Sequence, residues 1–336
     1  MKKIMIVLAF FGVLTLIGCE NEKAVQSDKL NIIFETDIGN DVDDAMALDM
    51  MYKYLDQDKI NVLAVTINKD GLAPAEFMDI MNTWYGYPDI PVGIIRNGAD
   101  CETDAVNYAK AVVNLKKEDG TPMFARSHGD YDKLPDAHVL YRKILSEMPD
   151  NSVTIVSVGF STNLARLMDS PADEYSPLTG KELVAKKART LSIMAGSYGE
   201  KKRAEYNVIN DIPAMQKVFA EWPGEIVQNP FEIGKQVMFP GSEVENNLGW
   251  DGLNPVVEAY KLYRPMPYDR PSWDILSVIY LLKPELFTKS VPGTVTVDAE
   301  GYTYFEPCEC GKHIVLSATI DQPQALKEYM VQMSVK

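Results

Sequence analysis

Leu30-Asn31-Ile32-Ile33-Phe34-Glu35-Thr36-Asp37-Ile38-Gly39-Asn40-Asp41-Val42-Asp43-Asp44-Ala45 is the stretch whose reading decides the fold. The apolar run Leu30 to Phe34 has the length of a buried strand, and an amphipathic stretch from Ala45 to Leu55 follows it. Between them lie five carboxylates within ten residues: Glu35, Asp37, Asp41, Asp43 and Asp44. A helix N-terminus, with its free N–H groups and positive dipole end, accounts for Asp43 and Asp44. It does not account for five, because crowded negative charges repel unless a cation or protons neutralise them. A hard divalent cation with oxygen ligands is the economical explanation. The EF-hand pattern fits badly: counting from Asp37, the sixth residue is Val42 rather than Gly and the twelfth is Leu48 rather than Glu. A phosphatase aspartyl nucleophile would want an acidic residue two places on, where Gly39 stands.

The alternation continues outward from this stretch. Asn61 to Ile67, Ile90 to Ile95, Ser152 to Val158, Thr190 to Met194 and Glu225 to Gln228 read as further strands. Pro74 to Tyr85, Thr162 to Met168 and Pro213 to Trp222 read as helices, with Pro in or near the first turn of two of them. Asn97 to Pro135 and Ser170 to Lys187 are polar and irregular, which predicts loops or lids. Strands alternating with helices predict an α/β fold with a mostly parallel central sheet flanked by helices. Ligand sites in such folds lie outside the carboxyl ends of strands. Thr294 to Val297, Thr303 to Phe305 and Ile314 to Ser317 predict a small antiparallel C-terminal appendage.

The chain has 336 residues, 46% of them hydrophobic, which is too apolar for a disordered chain. Its net charge of −15 lacks the basic footprint of a nucleic-acid binder. Lys2 and Lys3 precede an almost wholly apolar run from Ile4 to Ile17, which reads as a signal-peptide core. Leu16-Ile17-Gly18-Cys19 resembles the lipobox of bacterial lipoproteins, so Cys19 is the expected lipidation site. The expected organisation is a signal peptide over 1–18, a polar tether over 19–29 and one domain over 30–336. That organisation places the protein in the cell envelope, lipid-anchored to a membrane, where acyl chains add about 0.8 kcal/mol per buried CH₂. Cys101, Cys308 and Cys310 match no C-x₂-C metal pattern, and His128, His138 and His313 are too few to suggest zinc. Cys308 and Cys310 are read as loop residues or as a local disulfide.

Four stretches in order resemble the inosine/uridine-preferring nucleoside hydrolases, over about Leu30 to Leu282. Thr36 to Ala45 resembles the family's calcium-binding loop. Val156-Ser157-Val158-Gly159-Phe160-Ser161-Thr162-Asn163 resembles its T-G-P-L-T-N turn. Met194-Ala195-Gly196-Ser197-Tyr198-Gly199 with Ala204-Glu205-Tyr206-Asn207-Val208 resembles its M-G-G…E-F-N segment. Arg270-Pro271-Ser272-Trp273-Asp274 resembles the segment bearing its last metal-binding Asp.

The resemblance implies Ca²⁺ held by Asp37, Asp44, Asp274 and the backbone carbonyl of Val158. It also implies a ribose bound by Asp43, Asn68, Glu205 and Asn207, with Trp273 stacked on the base. Breaking an N-glycosidic bond passes through an oxocarbenium-like sugar, which nearby carboxylates stabilise. A divalent cation orients the sugar and lowers the pKa of bound water. Asp37 is then the catalytic general base, and direct attack by water implies inversion. The sequence departs from the family in three places. The loop carries two extra residues between Gly39 and Asp43. Glu35 replaces a usual Asp. Trp273 stands where some members have a proton-donating His, which leaves the departing base without an assigned donor. Cleavage of another ribosyl or furanosyl compound, or nucleoside or sugar binding without turnover, remain alternatives. Trp250, Tyr260 and Tyr263 are read as core or as base-pocket residues, His128 and His138 as structural residues in or near a lid or, for one of them, as proton donor to the leaving base, and Lys201-Lys202-Arg203 as a solvated loop or a phosphate contact. The expected partner is a small-molecule nucleoside or ribosyl substrate, with a homo-oligomer possible in assembly.

Overall fold

Backbone alternation decides what the first strand buries. In the computed structural model, which describes residues 29–100, 106–248 and 252–334, Leu30–Thr36 forms β1. Its neighbours Ile33 and Phe34 point to opposite faces and enter two separate apolar cores. The cores therefore cover both faces of one sheet, which is what near-continuous apolar strands require.

The remaining strands of that sheet are β2 (Ile60–Ile67), β3 (Val92–Gly93), β4 (Val153–Ser157), β5 (Ala188–Met194), β6 (Glu225–Asn229), β7 (Thr288–Lys289), β8 (Gly293–Val297), β9 (Thr303–Pro307) and β10 (His313–Ser317). Their order is β9-β8-β10-β6-β5-β4-β1-β2-β3, with β7 paired to β10. From β3 across to β10 every pairing is parallel. The chain runs outward from β1 to β3, then returns to the other side of β1 and runs outward again from β4. The order thus reverses between β1 and β4, and a crevice opens beyond the carboxyl ends of those two strands.

The helices divide between the two faces. Asp43–Asp56, Leu72–Trp84, Pro255–Tyr263 and Asp274–Leu282 contribute to the core that holds Phe34. Ala137–Glu147, Thr162–Asp169, Gly180–Lys187 and Ile212–Glu221 contribute to the core that holds Ile33. The antiparallel C-terminal strands are present as expected. They also continue the main sheet, because β10 pairs in parallel with β6 and carries β8 and β9 beyond it.

Two expectations are corrected. Ser170 to Lys187 is not wholly irregular: Gly180–Lys187 is a helix started by a capping box, in which Thr179 accepts from the Glu182 N–H and Glu182 accepts from the Thr179 N–H. Likewise Tyr108–Val113, capped by Asn107, is helical inside the expected loop Asn97 to Pro135. Among the described residues no helix is long and apolar enough to cross a membrane. The expected signal peptide, Cys19, the tether up to residue 28, Cys101 and Trp250 lie outside the described residues.

Candidate active site

Two helices begin at the crevice, and each starts with acid. Asp43 and Asp44 open the Asp43–Asp56 helix, and Asp274 opens Asp274–Leu282. Carboxylates suit these ends because both dipoles are positive there. The loop that reaches the first helix turns at Gly39, whose φ of +134° is closed to ordinary side chains. Its carbonyl accepts the Tyr108 N–H at 2.9 Å. Thr36 Oγ1 accepts the Ile38 N–H at 3.1 Å and hydrogen-bonds Asp44, which ties the start of the loop to its end.

The two acidic ends are then joined. Asp43 Oδ2 accepts the backbone N–H of Trp273 at 2.8 Å and of Asp274 at 3.0 Å. Asp41, in the loop between Gly39 and the first helix, pairs with the Arg270 guanidinium. Arg270 in turn lies over the rings of Tyr263 and Trp273, at 4.9 and 5.3 Å.

A cavity of about 290 Å³ results, lined by Asp37, Asn40, Asp41, Asp43, Asp44 and Asp274 on its acidic side. Val158, at the end of β4, and Glu205 and Asn207 line it as well. Asn207 Nδ2 donates to the carbonyls of Val158 and Met194, both at 3.0 Å. Glu205 accepts the N–H of Asn207 at 3.0 Å and of Gly196 at 3.2 Å. Trp273, Tyr263, Phe231 and Tyr206 supply an aromatic wall.

Charge crowding is the dominant electrostatic feature. Burial raises the pKa of Asp43, Asp44 and Asp274, and the neighbouring carboxylates raise each further. Burial also pushes Glu205 up to about 7. Such a set holds its protons or accepts a cation. Among the described residues, no three or more His, Cys, Asp or Glu side chains close into a metal cage by themselves. The donors nevertheless suit a hard cation. Asp37, Asp44 and Asp274 share the cavity with the Val158 residue, every candidate side-chain donor there is oxygen, and Arg270 is already engaged by Asp41.

The structure brings together Asp37, Asp43, Asp44, Val158, Glu205, Asn207, Trp273 and Asp274. It does not bring Asn68 into the lining. Asn68 is fully buried and donates to the Phe160 carbonyl at 2.8 Å. Glu35 also lies away from the lining, where it accepts from the Tyr141, Thr66 and Ser157 hydroxyls at 3.1 to 3.3 Å. Burial raises its pKa to about 7. Tyr260 is core, whereas Tyr263 lines the site. His128 borders a different cavity of about 310 Å³ beside Asp79, and His138 lies near Asp136 and Arg166. Asp41 has a structural place through its pair with Arg270, whereas sequence reasoning missed Arg270 as its partner and the place of Phe231 in the wall. An extra acid in a loop, opposite an arginine beside the last Asp, was the available signal.

Residues 32–327 match the family model described as inosine-uridine preferring nucleoside hydrolase. The chain belongs to that family. As a nucleoside hydrolase by family, it is a glycosylase-type hydrolase acting on the N-glycosidic bond of nucleosides. The match runs well past Leu282 and takes in the C-terminal strands. A plant nucleoside hydrolase has a similar structure, with a TM-score of 0.68 and 20% identity over 91% of this chain and 97% of that one. The inosine-uridine preferring nucleoside hydrolase of Bacillus anthracis gives 0.65 and 18%, over 91% and 99%. The purine-preferring ribonucleoside hydrolase of Gardnerella vaginalis gives 0.65 and 17%, over 90% and 98%. At these identities the likeness concerns the fold. No match was found among curated proteins.

Proposed function

We propose that this nucleoside hydrolase cleaves ribonucleosides to base and ribose by direct water attack, with Ca²⁺ as its resident cation. The observation that carries the reading is the convergence of Asp37, Asp43, Asp44 and Asp274 on one cavity, opposite Glu205 and Asn207. Asp37, Asp44, Asp274 and the Val158 carbonyl would hold the ion. When bound, Ca²⁺ supplies charge that orients a sugar diol and acidifies water.

The chain's own residues divide the remaining work. Asp37 takes the proton of the attacking water. The ring of carboxylates stabilises positive charge as it grows on the sugar. Glu205 and Asn207 hold sugar hydroxyls from the opposite side, and the one remaining oxygen of Asp43 that faces no backbone N–H reaches the ribose. Trp273 stacks on the base. Water adds to the face opposite the departing base, so the anomeric configuration inverts. Lipidation at Cys19 would hold the enzyme at a membrane surface in the cell envelope.

A nucleoside panel assayed with and without chelator tests the reading. Release of ribose from inosine or uridine, lost with chelator and restored by Ca²⁺, is the expected result. Saturable binding with no product after long incubation would replace the enzyme with a binding protein. Asp37→Ala should lose both calcium binding by calorimetry and turnover.

A further inference from the structure

We propose that Arg203 stabilises the negative charge of the departing base, which makes it the catalytic group on the leaving-group side; this rests on the hydrolase reading above. The usual candidates are otherwise engaged. Trp273 Nε1 donates to the Phe231 carbonyl at 2.9 Å, so its N–H is already used. Neither His128 nor His138 lines the acidic cavity. Arg270 is paired with Asp41. Among the described residues that line the cavity, Arg203 is the one cationic side chain.

Its placement is built by its neighbours. Glu205, two residues on, is anchored to the Gly196 and Asn207 N–H groups, which fixes this segment against the cavity wall. The Arg203 guanidinium lies over the Phe231 ring at 4.4 Å from the centroid. Phe231 stacks on Trp273, with centroids 5.5 Å apart and planes 22° from parallel. Arg203 and Trp273 thus both pack on Phe231, and both line the cavity in which the base would sit. Arg203 forms no ion pair among the described residues, so its charge is not already neutralised by a carboxylate.

The chemistry balances without further reactants. The bond between the anomeric carbon and the base nitrogen breaks, and its electron pair leaves with the base. Arg203 donates a hydrogen bond to the atom where that charge accumulates and keeps its own proton, since guanidinium is too basic to release it. One water adds to the anomeric carbon, its proton goes to Asp37, and solvent protonates the released base.

Arg203→Met and Arg203→Lys, with Tyr263→Phe for a hydroxyl that also lines the cavity, should be assayed on inosine and on p-nitrophenyl ribofuranoside. The nitrophenolate leaves unaided, so it does not need the cation. Arg203→Met is expected to lose about 10–10²-fold in kcat on inosine, less than a water-excluded charge-stabilising donor because Arg203 is exposed. On the nitrophenyl compound it should lose less than about tenfold. Arg203→Lys should recover part of the loss on inosine. Equal losses on both substrates, or no loss on either, would overturn the proposal, as would a selective inosine defect in Tyr263→Phe alone. Wild-type enzyme that cleaves neither substrate would overturn the hydrolase reading and this assignment with it.

Discussion

Asp43 Oδ2 accepts the backbone N–H of Asp274 at 3.0 Å, across 231 positions of chain. The carboxylate of one helix N-terminus thereby binds the backbone of another, and both are held at the same cavity. The same oxygen also accepts the Trp273 N–H. Asp43→Ala would orphan a buried N–H at Asp274 and a half-buried one at Trp273, the buried group worth about 1–3 kcal/mol and the other less. The expected outcome is a destabilisation of a few kcal/mol by urea titration, together with loss of turnover. Asp43→Asn retains an acceptor oxygen and should recover most of the stability but little of the activity.

Gly159 follows Val158 at the base of the cavity. A Cβ there would sit 2.5 Å from Asn68 Oδ1 and 2.7 Å from the Asp37 backbone nitrogen. Neither neighbour can retreat easily, because Asn68 is buried and Asp37 begins the acidic loop. Gly159→Ala should cost about 1–3 kcal/mol by overpacking. It should also lower kcat more than tenfold by moving Asp37, on the order of the penalty for misplaced catalytic groups. Gly129→Ala meets nothing within 4 Å and should be silent in both assays.

Glu205 gives a pH signature. Its folded pKa is about 7 against an ordinary 4.5, with burial as the cause. The folded protein therefore keeps a proton that the unfolded chain has released. Stability falls as pH rises through that window and levels off above it. Glu205→Gln removes the contribution. In chelator, the stability difference between wild type and variant should shift by about 3 kcal/mol between the two pH limits, in favour of the variant at high pH. Parallel curves would show that Glu205 titrates normally.

The Asp41–Arg270 pair is partly buried, with side chains 30% and 11% exposed. It should be worth more than a surface pair and less than a fully buried one. A double-mutant cycle with Asp41→Asn and Arg270→Met should return a coupling of about 1–2 kcal/mol. Each single variant should lower kcat, since the pair ties the acidic loop to the segment that ends in Asp274. A coupling near zero would show that the pair does not hold the loop.

The acidic loop was legible because its pattern is local: apolar strand, turn, then a helix with acid in its first turn. The parallel sheet was legible for the same reason, since periodicity repeats along the chain. Glu35 was harder. It shares a face of β1 with Ile33 rather than Phe34, so it reaches Tyr141 and Thr66 and leaves the cavity to Asp37. Alternation contains that fact, but sequence alone does not say which face borders the site. The Gly180–Lys187 helix was hidden in a polar stretch, where its capping box was a better guide than hydrophobicity.

By itself, the order of residues determined the alternating strands and helices, the acidic turn after β1 and the resemblance to nucleoside hydrolases. Only the tertiary structure decided which carboxylates share a cavity, which ones are occupied by hydrogen bonds, and that Arg203 stands beside the aromatic wall. The reason is physical. Local pattern follows from neighbours a few residues apart, whereas the electrostatics of a site depend on distances between groups such as Asp41 and Arg270, which only folding of the intervening chain brings together.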